Sequence, residues 1–375
     1  MILEEIYNFS SYLIPFLFLI TVVVFFHELG HFYIARLCNV KVDVFSIGFG
    51  KEIIGWNDKK GTRWKISWIP LGGYVKFFGD ANMSSLPTDK NFKNISDKEK
   101  KMLFYLKPLY QRFAIVAAGP LANFILAIFI FSLTLMIYGK TILQPKVSLV
   151  EENSPAEISG VLTDDLITHI DNQKIQNIND VIRIVSMNAN KKLSFIILRD
   201  GNEVELFVTP EVRTVDDQFG NKVERGLIGV QLVPHGEVEL KKYNFSESIY
   251  FSTLQTYDFL SQTLKYLYKM ITGSESTNQL GGPIKIAQIS GQVADIGFFP
   301  LLNLIAYISI SIGMINLFPI PVLDGGHLLF YIFEFFRGKP LSLKTQEFLF
   351  KIGFSALIFL MVYVTFNDLK NIGIF

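Results

Sequence analysis

The chain has 375 residues, of which half are hydrophobic, 14% aromatic and only 18% charged. Charge that scarce cannot coat one large water-facing surface, so the composition points into a membrane and excludes disorder and fibrous repeats. A formal net charge of +1 gives no reason to expect nucleic-acid binding, and a single cysteine, Cys38, excludes an intrachain disulfide framework.

The first apolar stretch, Tyr12–Phe26, runs into His27-Glu28-Leu29-Gly30-His31 and on to Leu37. As one helix, Tyr12–Leu37 is about 39 Å long at 1.5 Å per residue, enough to span with the polar motif inside or at the edge of the bilayer. Glu4 and Glu5 precede it where a signal peptide carries basic residues, and no small-residue cleavage site follows, so it is expected to stay in the mature protein. Val42–Phe78 predicts strands around a turn at Asn57-Asp58-Lys59-Lys60-Gly61, unusually apolar and aromatic for a cytosolic hairpin. Ala114–Tyr138 is a full-length span interrupted by Gly119, Pro120 and Asn123. Lys146–Val212 mixes short strands with a helix near Asp180–Met187 and reads as a small independent domain. Ser246–Ile271 places Ile249, Leu254, Tyr257, Leu264 and Tyr268 at helical spacings, which predicts an interfacial helix. A third apolar run, Phe298–Phe318, is broken at Asn316, Pro319 and Pro321 and resumes over Leu328–Phe336. Phe348–Phe366 is the fourth.

Four membrane passages follow. From Arg36 to Arg112, 15 Lys/Arg stand against 7 Asp/Glu, whereas from Lys140 to Asp295 there are 15 against 20. The loop before the last span carries Arg337, Lys339 and Lys344. By the positive-inside rule the first and third loops are cytoplasmic and both termini lie outside, which puts the histidine motif in the cytoplasmic half of the first helix. The expected divisions are residues 1–38 (first transmembrane helix), 39–110 (β-region and loop), 111–139 (second transmembrane helix), 140–234 (small domain, core 146–212), 235–297 (linker with the amphipathic helix), 298–338 (third, broken segment) and 339–375 (fourth helix and tail).

His27 and His31, four apart, share a helix face and can hold one Zn²⁺, and Glu28 can act as general base on water activated there. Each ionisable group in a membrane helix costs about 2.5–3.5 kcal/mol on insertion scales, so such a cluster reads as functional. Catalytic zinc usually takes a third protein ligand. Asp324 and His327, after the two prolines that force the backbone out of a helix, are the candidates; Asp324 alone would also serve as an N-cap. Asn316 could donate to a developing oxyanion or satisfy carbonyls freed by the break. Asn123 is expected to act as packing glue between helices.

In order, HELGHF (His27–Phe32), IPLGGYVKF (Ile69–Phe77), AGPLANF (Ala118–Phe124), GGPIKIA (Gly281–Ala287) and NLFPIPVLDGGHLLF (Asn316–Phe330) cover nearly the whole chain. In these motifs the chain resembles the site-2 protease family of intramembrane zinc metalloproteases, specifically the bacterial RseP-type regulators of the envelope stress response. The resemblance implies that His27, His31 and Asp324 bind zinc, that Glu28 is the catalytic acid/base, and that Asn316 helps position substrate or stabilise its oxyanion. It also implies that Gly72, Gly73, Tyr74, Val75, Lys76 and Phe77 belong to a membrane-associated β-element that pairs with unwound substrate. Lys146–Val212 looks like the family's PDZ domain, although only one is present and Asp164-Asp165 replaces the customary Gly-Asp.

The expected fold is therefore a polytopic α-helical membrane protein with four passages, a membrane-associated β-element and one inserted α/β PDZ-like domain. The expected function is regulated intramembrane proteolysis of single-pass membrane proteins, anti-sigma factors or remnant signal peptides, after a first cut by an upstream site-1 protease. The expected location is the bacterial inner membrane, with termini and PDZ-like domain periplasmic and the active site toward the cytoplasm. An inactive scaffold that binds membrane helices is the alternative, against which Glu28 argues. A metal transporter would need a second metal site or an inverted repeat, and neither is found in the sequence.

Overall fold

The computed structural model describes residues 2–79, 96–216, 222–273 and 281–371. It comprises two compact units, one formed by 1–134 with 245–375 and the other by 135–244.

In the first unit, four helices are long and apolar enough to cross a membrane: Ser11–Leu37 within α1 (Ile2–Leu37), α3 (Leu109–Ile137), α8 (Phe298–Asn316) and Leu343–Lys370 within α10 (Leu343–Asn371). A short helix α2 (Asp97–Lys100), closed by a Ser96–Glu99 capping box, precedes α3. Gly30 brings α1 and α3 into close approach: a Cβ there would collide with the carbonyl of Ala118 and with Ala122. Leu19, Val23, Leu126, Ile130, Phe131, Ile305 and Ile310 fill the contact of α1, α3 and α8.

The strands β1 (Val42–Asn57) and β2 (Arg63–Phe77) fold into four paired segments rather than a simple hairpin. Val44, Phe45, Ser46 and Ile47 pair on one side with Lys76, Val75, Tyr74 and Gly73, and on the other with Arg63, Trp64, Lys65 and Ile66. The latter segment in turn pairs with Ile54–Asn57. Gly73–Phe77 therefore forms an edge, with no strand on its far side among the described residues. Phe45, Val75 and Phe77 point into a core shared with Phe32, Ile115, Leu328 and Tyr331. Trp56, Trp68, Ile53, Ile54, Ile69 and Leu71 are exposed, an apolar surface that a water-facing sheet would not carry.

The helix α6 (Phe245–Ile271) covers the amphipathic stretch, but it faces the protein with a hydroxyl stripe, Ser248, Ser252 and Thr256, spaced four apart. Ile249, Leu254, Tyr257, Leu264 and Tyr268 are exposed. The expected linker also holds a further helix, α7 (Pro283–Ile296), whose first N–H groups at Gly282, Ile284 and Lys285 donate to the buried Asp368 carboxylate on α10. The third apolar segment is broken as the prolines require: α8 stops at Asn316 and α9 runs Asp324–Arg337. Arg112 of α3 makes a two-pronged ion pair with Glu334 of α9, at 3.1 and 2.6 Å, from beneath the Tyr331 ring.

The second unit is a sheet of order β10–β3–β4–β6–β7, from β3 (Lys140–Val150), β4 (Leu166–Ile170), β6 (Leu193–Arg199), β7 (Asn202–Val208) and β10 (Val230–Lys241), with β5 (Gln173–Lys174) beside β4. The helix α4 (Pro155–Ile158), α5 (Ile178–Met187) and a β8 (Glu211–Asp216)–β9 (Lys222–Leu227) hairpin complete it. The expected core boundary at Val212 is too early, because β10 pairs with β3 and Ile228 joins the same hydrophobic core as Val147, Val181 and Ile197. Asp164 adopts a left-handed φ of +75°, the conformation for which glycine is customary there and which Asp tolerates better than most residues. Asp165 is buried and accepts from Leu162 N–H and from both prongs of Arg199 at 2.8 Å.

Candidate metal centre

Helical spacing puts His27 and His31 one turn apart on α1, with ring centroids 4.9 Å apart and nearly perpendicular. Their Nε2 atoms stand 3.2 Å from each other. Asp324 Oδ2 lies 3.2 Å from His27 Nε2 and 3.4 Å from His31 Nε2. Asp324 is the first residue of α9, whose N-cap is Leu323, so it is not the N-cap that its position suggested. The break at Pro319–Pro321 turns the chain so that the start of α9 faces α1.

These separations suit zinc. Ligand atoms about 2.0–2.1 Å from a tetrahedral zinc stand about 3.3 Å apart, which matches all three observed separations. Asp324 Oδ2 is buried with no hydrogen-bond partner of its own among the described residues. His31 Nδ1 lies 2.8 Å from the Ile115 carbonyl oxygen, which can only accept, so Nδ1 carries the proton and Nε2 turns a lone pair inward. Lone pairs facing one another at this distance repel unless a cation stands between them. Among the described residues these three form the group able to hold a metal.

His327, the competing ligand, lies elsewhere: its ring packs on Phe350 at 5.3 Å and Phe330 at 6.3 Å. Gly119 on α3 is a contributor that the motif alone did not single out. A Cβ at Gly119 would collide with the imidazoles of His31 and His27, so α3 can pass beside the site only with a bare backbone. Asn123, four residues on, lies 3.3 Å from His27 Nδ1 through its amide and is fully buried. The signal for both was the polar and small residues breaking an apolar span.

Glu28 faces the β-element: a Cβ at Gly73 would sit 3.3 Å from its Cγ. Of the expected substrate-binding residues, Val75 and Phe77 are buried in the core, so only their backbone is available to a partner. Gly72 is also buried, at a φ of +155°, and its lack of a Cβ leaves room for the Phe49 ring. Tyr74 stacks on Phe49 at 6.2 Å, with Lys65 over its ring, and Lys76 is half-buried. Asn316 closes α8, half-buried, at the entrance to the break.

With this geometry in view, residues 15–360 match the family model described as peptidase family M50. A protein of Agrobacterium fabrum provisionally named a zinc metalloprotease is 42% identical over 97% of both chains. Metalloprotease MmpA of Caulobacter vibrioides is 34% identical over 98% of both. Among solved structures, the PDZ domain of an SdrC-like protein of Listeria monocytogenes is 19% identical, with a TM-score of 0.21, covering 25% of this chain and 92% of that one.

Proposed function

Because the chain belongs to peptidase family M50, the site-2 protease type, and is a zinc metalloprotease of the membrane, we propose that it cuts single-pass proteins within their membrane segments. The observation that carries this reading is the meeting of His27, His31 and Asp324 beside Glu28, three of the four on a helix apolar enough to span.

Those three residues would hold the zinc. When bound, zinc supplies a Lewis acid that polarises the scissile carbonyl and acidifies water. The residues of the chain do the rest. Glu28 takes a proton from the attacking water and returns it to the leaving nitrogen. Asn316 orients the substrate or donates to its oxyanion. A membrane helix hides its peptide bonds in its own hydrogen bonds, so cleavage requires unwinding, and the free edge at Gly73–Phe77 offers main-chain partners to an extended segment. Because that edge lies against Glu28, pairing there would bring the extended substrate to the general base.

The substrates in this reading are anti-sigma factors or remnant signal peptides already trimmed by an upstream protease. The enzyme sits in the bacterial inner membrane with its active site toward the cytoplasm. Leu135–Asn244 is a periplasmic PDZ-like unit that screens substrates. The supporting features are the basic first and third loops and a cleft between α5 and β10, lined by Val181, Val185, Ile228, Val230 and Leu232.

The test is cleavage of truncated single-pass substrates by purified protein beside its Glu28→Gln variant. Wild type is expected to cut, and Glu28→Gln to lose at least about 10²-fold in rate while keeping its zinc, the scale of a lost general base. Zinc-loaded wild type that cuts none of several trimmed substrates would point to a scaffold instead.

A further inference from the structure

We propose that Asn123 is a positioning residue for the metal centre: its amide oxygen accepts from His27 Nδ1–H and so holds the lone pair of His27 Nε2 toward the metal. The inference rests on the zinc site proposed above and goes beyond its ligand set.

His27 Nε2 faces His31 Nε2 at 3.2 Å and Asp324 Oδ2 at 3.2 Å, so to serve a metal it must be unprotonated. A neutral imidazole then carries its proton on Nδ1, and that N–H needs an acceptor. His31 has the Ile115 carbonyl for this purpose. His27 has the amide of Asn123, fully buried, with Nδ2 3.3 Å from His27 Nδ1. The two ends of an amide are assigned by their partners, and here Oδ1 is buried without one. With the amide nitrogen toward Nδ1, the proton is forced onto Nε2, where it points at Asp324 and closes the site to a cation. Turning the amide about its axis places Oδ1 on Nδ1–H and frees Nε2. On the α8 side, Ser309 Oγ donates to the main-chain carbonyl oxygen of Asn123 at 2.9 Å and Gly313 leaves room for its Cβ, a helix-to-helix contact in which the amide takes no part. An asparagine that only glued α3 to α8 would have no need to face a histidine ring.

The experiment measures zinc affinity of the full-length protein in detergent by chelator competition, for wild type, Asn123→Ala, Asn123→Asp and Ser309→Ala. Asn123→Ala is expected to bind zinc about tenfold to a hundredfold more weakly, the usual cost of losing an outer partner of a metal-bound histidine. Asn123→Asp keeps an acceptor and is expected to stay within about threefold of wild type by the same argument. Ser309→Ala, which loosens the helix contact but leaves the amide in place, should not change affinity. Wild-type affinity in Asn123→Ala, or equal weakening in Ala and Asp, would overturn the proposal. If Asn123→Ala gives no folded protein, the cobalt-substituted Asn123→Asp variant decides. A stronger acceptor on Nδ1 should shift its visible ligand-field bands, and bands unmoved from wild type would refute the role. Failure of wild type to bind zinc at all would instead strike the underlying site.

Discussion

At the scale of single residues, the metal centre depends as much on what is missing as on what is present. Gly119 contributes no atom to the ligand set, yet a single added Cβ would occupy the space of both imidazoles. Gly119→Ala is expected to reduce zinc content of the purified protein to below about a tenth while the far-ultraviolet helix signal stays unchanged, a larger loss than an outer-partner substitution brings. Full zinc occupancy in that variant would mean that α3 can retreat from α1. The HExxH spacing made His27, Glu28 and His31 legible at once, because helical periodicity alone puts i and i+4 on one face. Asp324 was legible as an oxygen ligand but not distinguishable from His327, since both sit near the start of the same helix. The fold separates them by direction: Asp324 turns to α1, and His327 to the Phe350 ring of α10.

At the scale of elements, two devices hold the halves of the site together. The Arg112–Glu334 pair is nearly buried and ties the first turn of α3 to the last of α9. Removing one partner leaves a buried charge uncompensated, so Glu334→Met or Arg112→Met should destabilise by about 3–5 kcal/mol, while the double variant Arg112→Met with Glu334→Met should recover most of that loss. Thermal unfolding in detergent, read as a double-mutant cycle, checks this, and additive losses would contradict it. The break between α8 and α9 is the second device. Val322 sits there at a φ of +110°, a conformation that a β-branched residue adopts only when its surroundings impose it. Val322→Gly should relieve about 1 kcal/mol of that strain and raise the melting temperature, against which an unchanged or lower value would count. The prolines announced that the helix must stop. They did not announce the strained residue after them, which follows from fitting α9 back against the loop.

At the scale of the whole molecule, the two compact units can be tested apart by excision. His27, Glu28, His31, Asn123, Asn316 and Asp324 all belong to the unit formed by residues 1–134 and 245–375. Replacing Leu135–Asn244 by a short flexible linker should therefore leave about one zinc per chain, as a closed ligand set within one unit predicts. If the excised unit screens substrates, the shortened enzyme should also cut untrimmed single-pass proteins that the full chain spares. Loss of zinc on excision would show that the membrane unit does not form its site without the insert.

The sequence by itself determined the membrane setting, the four helices long and apolar enough to cross it, the zinc-metalloprotease class and the break in the third apolar segment. Each of these is set by local composition or by a short periodicity that any helix obeys. The tertiary structure alone decided the rest, because it concerns residues distant in the chain. It placed Asp324 and not His327 beside the two histidines, brought Asn123 and Ile115 behind them, and set the edge at Gly73–Phe77 against Glu28. It also folded β1 and β2 into four paired segments and carried the second unit past Val212 to β10. Spacing along a chain specifies which side chains share a face of one helix. Which faces meet depends on how helices pack, and here close approach at Gly30 and Gly119 decides that.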